Sequence, residues 1–184
     1  MEGRGNPVRP ARLGRRDHPA LSVARRKPVV GIDEIARRLP HRHPMLLIDE
    51  VTELVPGERL IARKAVTASE PWFRRDPNGS NGGPIHFPPV LLLESLCQAA
   101  TLLAVWDAPT SGLMRGKAML LGSLSDATFH ASVTPGSLIH HHVSLSRDLG
   151  DNFLVGGTSL VEDRLVLSVK QVLVALRPSR TLSS

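Results

Sequence analysis

The chain has 184 residues, long enough for one domain with a sizeable core and short for two. Its formal charge of +6 looks like a nucleic-acid signal until it is located: residues 1–28 carry eight Lys and Arg against Glu2 and Asp17, and residues 29–184 hold fifteen charges of each sign. A single cysteine, Cys97, excludes both a disulfide framework and a zinc knuckle.

Residues 1–28, rich in Pro, Gly and Arg, can bury too little apolar surface to fold and read as a disordered, solvated tail. The tail has no apolar core of signal-peptide type, and no segment reaches the length of a membrane span. A cytoplasmic protein with neither a nucleic-acid nor a membrane partner is expected. The folded domain is placed at 29–178, followed by a disordered C-terminus at 179–184.

After the tail, Ile32, Ile35 and Leu39 recur at helical spacing and Pro40 ends the helix. Met45–Leu54 is apolar and then alternating. Pro56-Gly57 makes a turn, and Arg59–Ala68 alternates well enough to return as the second strand of a hairpin. His41 and His43, flanking Arg42, read as a polar plug that fixes entry into the first strand. A glycine- and proline-rich loop, Asp76–Pro84, follows.

Pro88 and Pro89 then open a helix, whose first turn does not need their missing N–H groups. The run Val90–Trp106 is apolar nearly all the way round and predicts a buried helix roughly 25 Å long at ~1.5 Å per residue. One acid, Glu94, lies inside it. An ionised carboxylate there is expensive unless it is paired or solvated by a cleft, so Glu94 is the first candidate for chemistry. Gln98 lies one turn on along the same face.

Beyond Pro109–Gly112 the chain reads as strands: Met119–Phe129, Leu138–Arg147, Asn152–Val161 and Leu165–Leu176, separated by turn residues. This predicts an antiparallel meander. His140 and His142 share a strand face, which reads as exposed; two ligands without a third make no metal site. One helix cannot hide its whole circumference alone. A curved antiparallel sheet of five or six strands wrapped around a long central helix would do so, which is the α+β hot-dog arrangement.

Three strings carry a resemblance. Leu39-Pro40-His41-Arg42-His43-Pro44-Met45-Leu46-Leu47-Ile48-Asp49 resembles the opening signature of the bacterial 3-hydroxyacyl-acyl-carrier-protein dehydratases. Glu70-Pro71-Trp72-Phe73 resembles the strand end before their catalytic loop, and Pro89-Val90-Leu91-Leu92-Leu93-Glu94-Ser95-Leu96-Cys97-Gln98 resembles the start of their central helix. The resemblance spans about residues 30–178. It implies a homodimer or larger assembly in which a histidine of one subunit faces the helix carboxylate of another. It also implies the loss of water from a 3-hydroxyacyl thioester, carried on acyl carrier protein or coenzyme A, with no metal or other cofactor.

The sequence departs from the family in its catalytic loop. Counting forward from Glu70-Pro71 puts Asp76 where the family has histidine. Matching the local string instead makes His86-Phe87-Pro88 the catalytic motif, eight residues before Glu94. An ordinary carboxylate near pKa 4 is a poor substitute for an imidazole base, whereas a histidine titrates near neutrality. The glycine that opens the family helix is Pro89 here, which has no N–H to offer a thioester oxygen. The candidate catalytic residues are therefore Glu94, His86 and Asp76. Gln98, Phe87, Val90, Arg74 and Arg75 are candidates for substrate binding, the two arginines toward a phosphopantetheine or an acidic carrier. The leading function is dehydration in fatty-acid or polyketide-type biosynthesis. The alternatives are a hot-dog acyl thioesterase and a non-catalytic homologue that binds acyl chains or carrier protein.

Overall fold

The computed structural model describes residues 29–73, 85–107 and 117–178. The tail, the last six residues and the candidates Arg74, Arg75 and Asp76 lie outside the described residues. Helix α1 (Ile32–Arg38) leads through an extended segment to strands β1 (Glu50–Val55) and β2 (Arg59–Ala65). A short 3-10 turn at Pro71–Phe73 precedes helix α2 (Pro89–Ala104). Strands β3 (Lys117–Phe129), β4 (Leu138–Asp148), β5 (Asn152–Val161) and β6 (Arg164–Pro178) complete the fold.

All six strands form one antiparallel sheet in the order β1-β2-β4-β5-β6-β3. This corrects the simple meander. Of the four later strands only β4, β5 and β6 follow one another across the sheet, while β3 crosses to the far edge beside β6 and β2 takes the place next to β4. Tight turns announce a neighbour in the sequence. The long link from β2 to β3, which contains α2, announces none.

The sheet curves around α2, which packs on β2, β4, β5 and β6. Register shifts interrupt β1 at Val51/Glu53, β3 at Leu121/Ser123, β4 at Leu145/Arg147 and β5 at Val155/Gly157. Such bulges bend a strand and increase its twist. At Gly157 a Cβ would stand 2.8 Å from the His142 carbonyl oxygen, so only glycine permits this approach of β5 to β4. Leu96, Ala99, Ala100, Leu102 and Leu103 of α2 are buried against Leu60, Ile139, Val155, Leu167 and Val172 of the sheet. Burying apolar area at about 25 cal/mol per Å² is what holds a helix with so little polar surface in place.

Candidate active site

The opening signature is a strap laid across α2. Arg42 fixes its first turn by donating from Nη1 to the carbonyls of Leu39 (2.8 Å) and His41 (2.6 Å). Asp49 closes its far end, its Oδ2 accepting the Ala65 N–H at 2.7 Å. In between, α2 holds the strap by its polar side chains. Gln98 Oε1 accepts the Leu47 N–H at 2.9 Å, while its Nε2 donates to the Met45 carbonyl (2.8 Å) and to Glu94 Oε1 (2.9 Å). Ser95 donates to the Leu47 carbonyl at 2.8 Å. Strap backbone groups that face the helix are thus satisfied by residues Gln98 and Ser95, as buried polar groups require.

Beneath the strap lies a second chain of contacts that sequence reasoning did not foresee. Ser95 uses its proton on Leu47, so His141 Nε2, 2.8 Å away, must be the donor to Ser95 Oγ. The other ring nitrogen, Nδ1, then accepts from Ser159 Oγ at 2.8 Å. His141 is fully buried, and burial pushes its pKa down to about 3, so the ring is neutral. Strand alternation placed His140 and His142 outward, as the structure has them. The same alternation sends His141 inward under the helix.

Glu94 projects from α2 into a cavity of about 150 Å³ between the helix, Pro40-His41 and the Met119–Leu121 stretch of β3. Its side chain keeps 31% of its exposure. His41 Nε2 stands 3.3 Å from Glu94 Oε1. The His41 imidazole holds the Glu94 carboxyl below the ordinary range; the Gln98 donor adds to this and burial opposes it. The acid is therefore paired and partly solvated. This corrects the reading of His41 as a plug at the strand entry: His41 faces the carboxylate, while His43 opens toward a different cavity beside Lys64 and Trp72. The only sequence signal was that His41 belongs to the same signature as the strap. Cys97 lines the Glu94 cavity too, but burial, reinforced by the Glu94 charge, pushes its thiol up to about 12, which leaves it unreactive.

The other candidates lie at the start of α2. His86 is exposed and lines a separate cavity of about 250 Å³ with Pro89, Leu92 and residues 129–133, at and just beyond the end of β3. Phe87 is buried against Trp72 (ring centroids 5.9 Å) and Phe73 (6.3 Å), and its N–H donates to the Val133 carbonyl at 2.7 Å. Phe87 also lines this cavity, and its packing sets the position from which His86 is displayed. The Val90 side chain is 68% exposed. Leu91 and Leu92 donate to the Pro88 carbonyl, and the Val90 N–H, at the start of the helix, has no backbone acceptor among the described residues. One chain thus keeps Glu94 and His86 in different cavities. Among the described residues, no group of His, Cys, Asp and Glu could hold a metal ion.

The FabA-like domain family matches residues 39–170, from the strap to β6. The chain belongs to this family. Its relatives include the 3-hydroxyacyl-acyl-carrier-protein dehydratase FabZ of Anaeromyxobacter sp. (strain Fw109-5), 38% identical over 76% of this chain and 85% of the relative. FabZ of Lactobacillus helveticus is 32% identical over 83% of this chain and 97% of its own length. Among solved structures, the dehydratase heterocomplex ApeI:P from Xenorhabdus doucetiae superposes with a TM-score of 0.65 at 16% identity, covering 81% of this chain and 94% of that one. The fluoroacetyl-CoA thioesterase FlK superposes at 0.54 and 13% identity over 71% of this chain and 93% of its own. These neighbours establish the hot-dog fold. No helix among the described residues is long and apolar enough to cross a membrane.

Proposed function

We propose that this protein is a dehydratase that eliminates water from a 3-hydroxyacyl thioester to give the trans-2-enoyl thioester, working in the cytoplasm as a homodimer on acyl-carrier-protein or coenzyme A substrates. The observation that carries this reading is the paired carboxylate Glu94, set in a small cavity on the central helix of a chain that belongs to the FabA-like family. Elimination needs a base for the α-proton and an acid for the departing hydroxyl. In this reading His86 is the base and Glu94, directly or through a water, protonates the leaving oxygen. The Val90 N–H stands in for the donor that Pro89 lacks, toward the thioester oxygen.

Strand β3 gives the reason to place His86 and Glu94 in different copies. It is a long edge strand, paired among the described residues only with β6, and it exposes 52% of Leu121 and 45% of Phe129. Edges of this kind are templates for pairing with another chain. The Glu94 cavity opens near the start of β3 and the His86 cavity near its end. Antiparallel pairing of two β3 edges brings the start of one strand beside the end of the other, and so the His86 cavity of one copy beside the Glu94 cavity of its mate. A two-fold axis generates two such composite sites.

Intact mass of a 3-hydroxyacyl carrier protein after incubation with the purified protein tests the activity. A loss of about 18 Da, one water removed by acid–base chemistry, is expected. Release of the whole acyl group would move the assignment to thioester hydrolysis, and unchanged mass across several chain lengths would leave only a binding role.

A further inference from the structure

We propose that His41 is the proton-sharing partner of Glu94: the two side chains form a pair within one chain that supplies the proton taken by the departing hydroxyl. The proposal rests on the dehydratase reading and adds to it the source of the acid's proton.

The geometry divides the carboxylate into two ends. His41 Nε2 and Gln98 Nε2 both meet Oε1, at 3.3 and 2.9 Å. Oε2 has no protein partner among the described residues, which leaves it for a substrate hydroxyl or a water in the cavity. Gln98 is an amide and cannot lend a proton; its other hydrogen is committed to the Met45 carbonyl. His41 can. Its Nδ1 is buried with no partner among the described residues, so the ring engages only through Nε2, on the Glu94 side.

Nothing else in the cavity competes for the role. The ionisable groups lining it are His41, Glu94 and Cys97; the rest of its wall is apolar apart from the Gln98 amide and the Thr101 hydroxyl. Cys97 stays a neutral thiol. The contacts from His41 and then Gln98 favour the ionised form of Glu94, so the proton it delivers has to be supplied to it by a neighbour.

The α-carbon–hydrogen bond breaks and its proton goes to the His86 base, while the electron pair becomes the new carbon–carbon π bond. The bond from the β-carbon to oxygen breaks, and the leaving oxygen takes a proton from the Glu94 carboxyl. Glu94 has that proton from Nε2 of His41 in its imidazolium form, which is left as the neutral ring. Water departs, and after release the His41–Glu94 pair regains a proton from solvent while His86 loses one.

A glutamine at 41 retains an N–H within reach of Glu94 and cannot carry a proton to it, so H41Q separates proton sharing from mere support. Steady-state dehydration by wild type, H41Q, E94Q and the double variant is the kinetic test. Under proton sharing, H41Q loses about 10²-fold in kcat with KM nearly unchanged, as for loss of one general acid. The double variant is then no slower than E94Q, because the two act as one unit. An H41Q enzyme within about threefold of wild type, against the ~10²-fold expected of a lost general acid, overturns the proposal while leaving a Glu94-dependent dehydratase intact. A second measurement needs no turnover. The Glu94 carboxyl carbon, followed by 13C NMR, should titrate at higher pH in H41F than in wild type. Identical titrations overturn the pairing whether or not the protein dehydrates anything.

Discussion

Ser95 and His141 meet 2.8 Å apart beneath the central helix, the imidazole donating to a hydroxyl whose own proton is spent on Leu47. The neutral ring is therefore part of what holds the strap on α2. In the unfolded chain His141 takes up a proton near its ordinary value of 6.5; in the folded protein it resists protonation down to about 3. Between these values the unfolded state binds more protons, so stability falls as pH is lowered, by up to about 1.4 kcal/mol per pH unit from this group. Urea denaturation from pH 7 to pH 4 should show this loss, and His141→Gln, which keeps a donor near Ser95 but does not titrate, should flatten it. Equal slopes for the two proteins would remove His141 as the cause.

The proposed composite site makes a prediction about mixtures. His86→Ala and Glu94→Gln homodimers should each be inactive, since each lacks one half of both sites. Subunit exchange between them creates heterodimers with one intact site and one doubly defective site, so an equimolar mixture should recover about a quarter of wild-type activity, as expected for a two-fold dimer with shared sites. A mixture that stays inactive although mass spectrometry shows exchange would place both groups in the same copy, and an active His86→Ala homodimer would remove His86 from the reaction.

Much of this was legible from local pattern. Apolar residues on every face of Val90–Trp106 implied a helix that something must enclose, and the turn residues between the later strands fixed their limits to within about two residues, the usual scatter of such boundaries. Glu94 stood out because a lone acid in an apolar run needs a reason. What stayed hidden depends on through-space neighbours. His41 reaches Glu94 across 53 positions of sequence, and no periodicity relates a loop residue to a helix face. The crossing of β3 to the far edge of the sheet was hidden for the same reason. His141 was hidden differently: the triplet drew notice to the two histidines that face outward, and strand alternation necessarily turned the middle one toward the helix.

Close approach at Gly157 carries a stability prediction. A Cβ there would lie 2.8 Å from the His142 carbonyl oxygen and 2.8 Å from Val143 Cγ1. The first neighbour is backbone within a hydrogen-bonded ladder and cannot yield without moving β4, the strand that carries His141. Gly157→Ala should destabilise the fold by about 1–3 kcal/mol, in the range of overpacked cores. Urea unfolding reads this directly, and an unchanged midpoint would mean that the bulge at Val155/Gly157 absorbs the methyl group.

Leu121 connects assembly to chemistry. It is half exposed on the β3 edge, adjoins the register shift at Leu121/Ser123, and lines the Glu94 cavity with Met119 and Leu120. If β3 pairs with β3 of a second copy, a charge introduced here is buried at the junction without a partner, which is strongly unfavourable. Leu121→Asp should therefore shift the protein from dimer to monomer in sedimentation while leaving the far-UV spectrum of the fold unchanged, because in one chain the side chain is already half in water. Activity should fall with the dimer population, since each monomer keeps Glu94 and His41 but loses the histidine supplied from across the edge. Dissociation with activity retained would show that the reaction needs one chain only. A dimer that survives the substitution would place the contact on another surface. The two measurements together thus decide whether the exposed edge of β3 completes the active site or merely borders it.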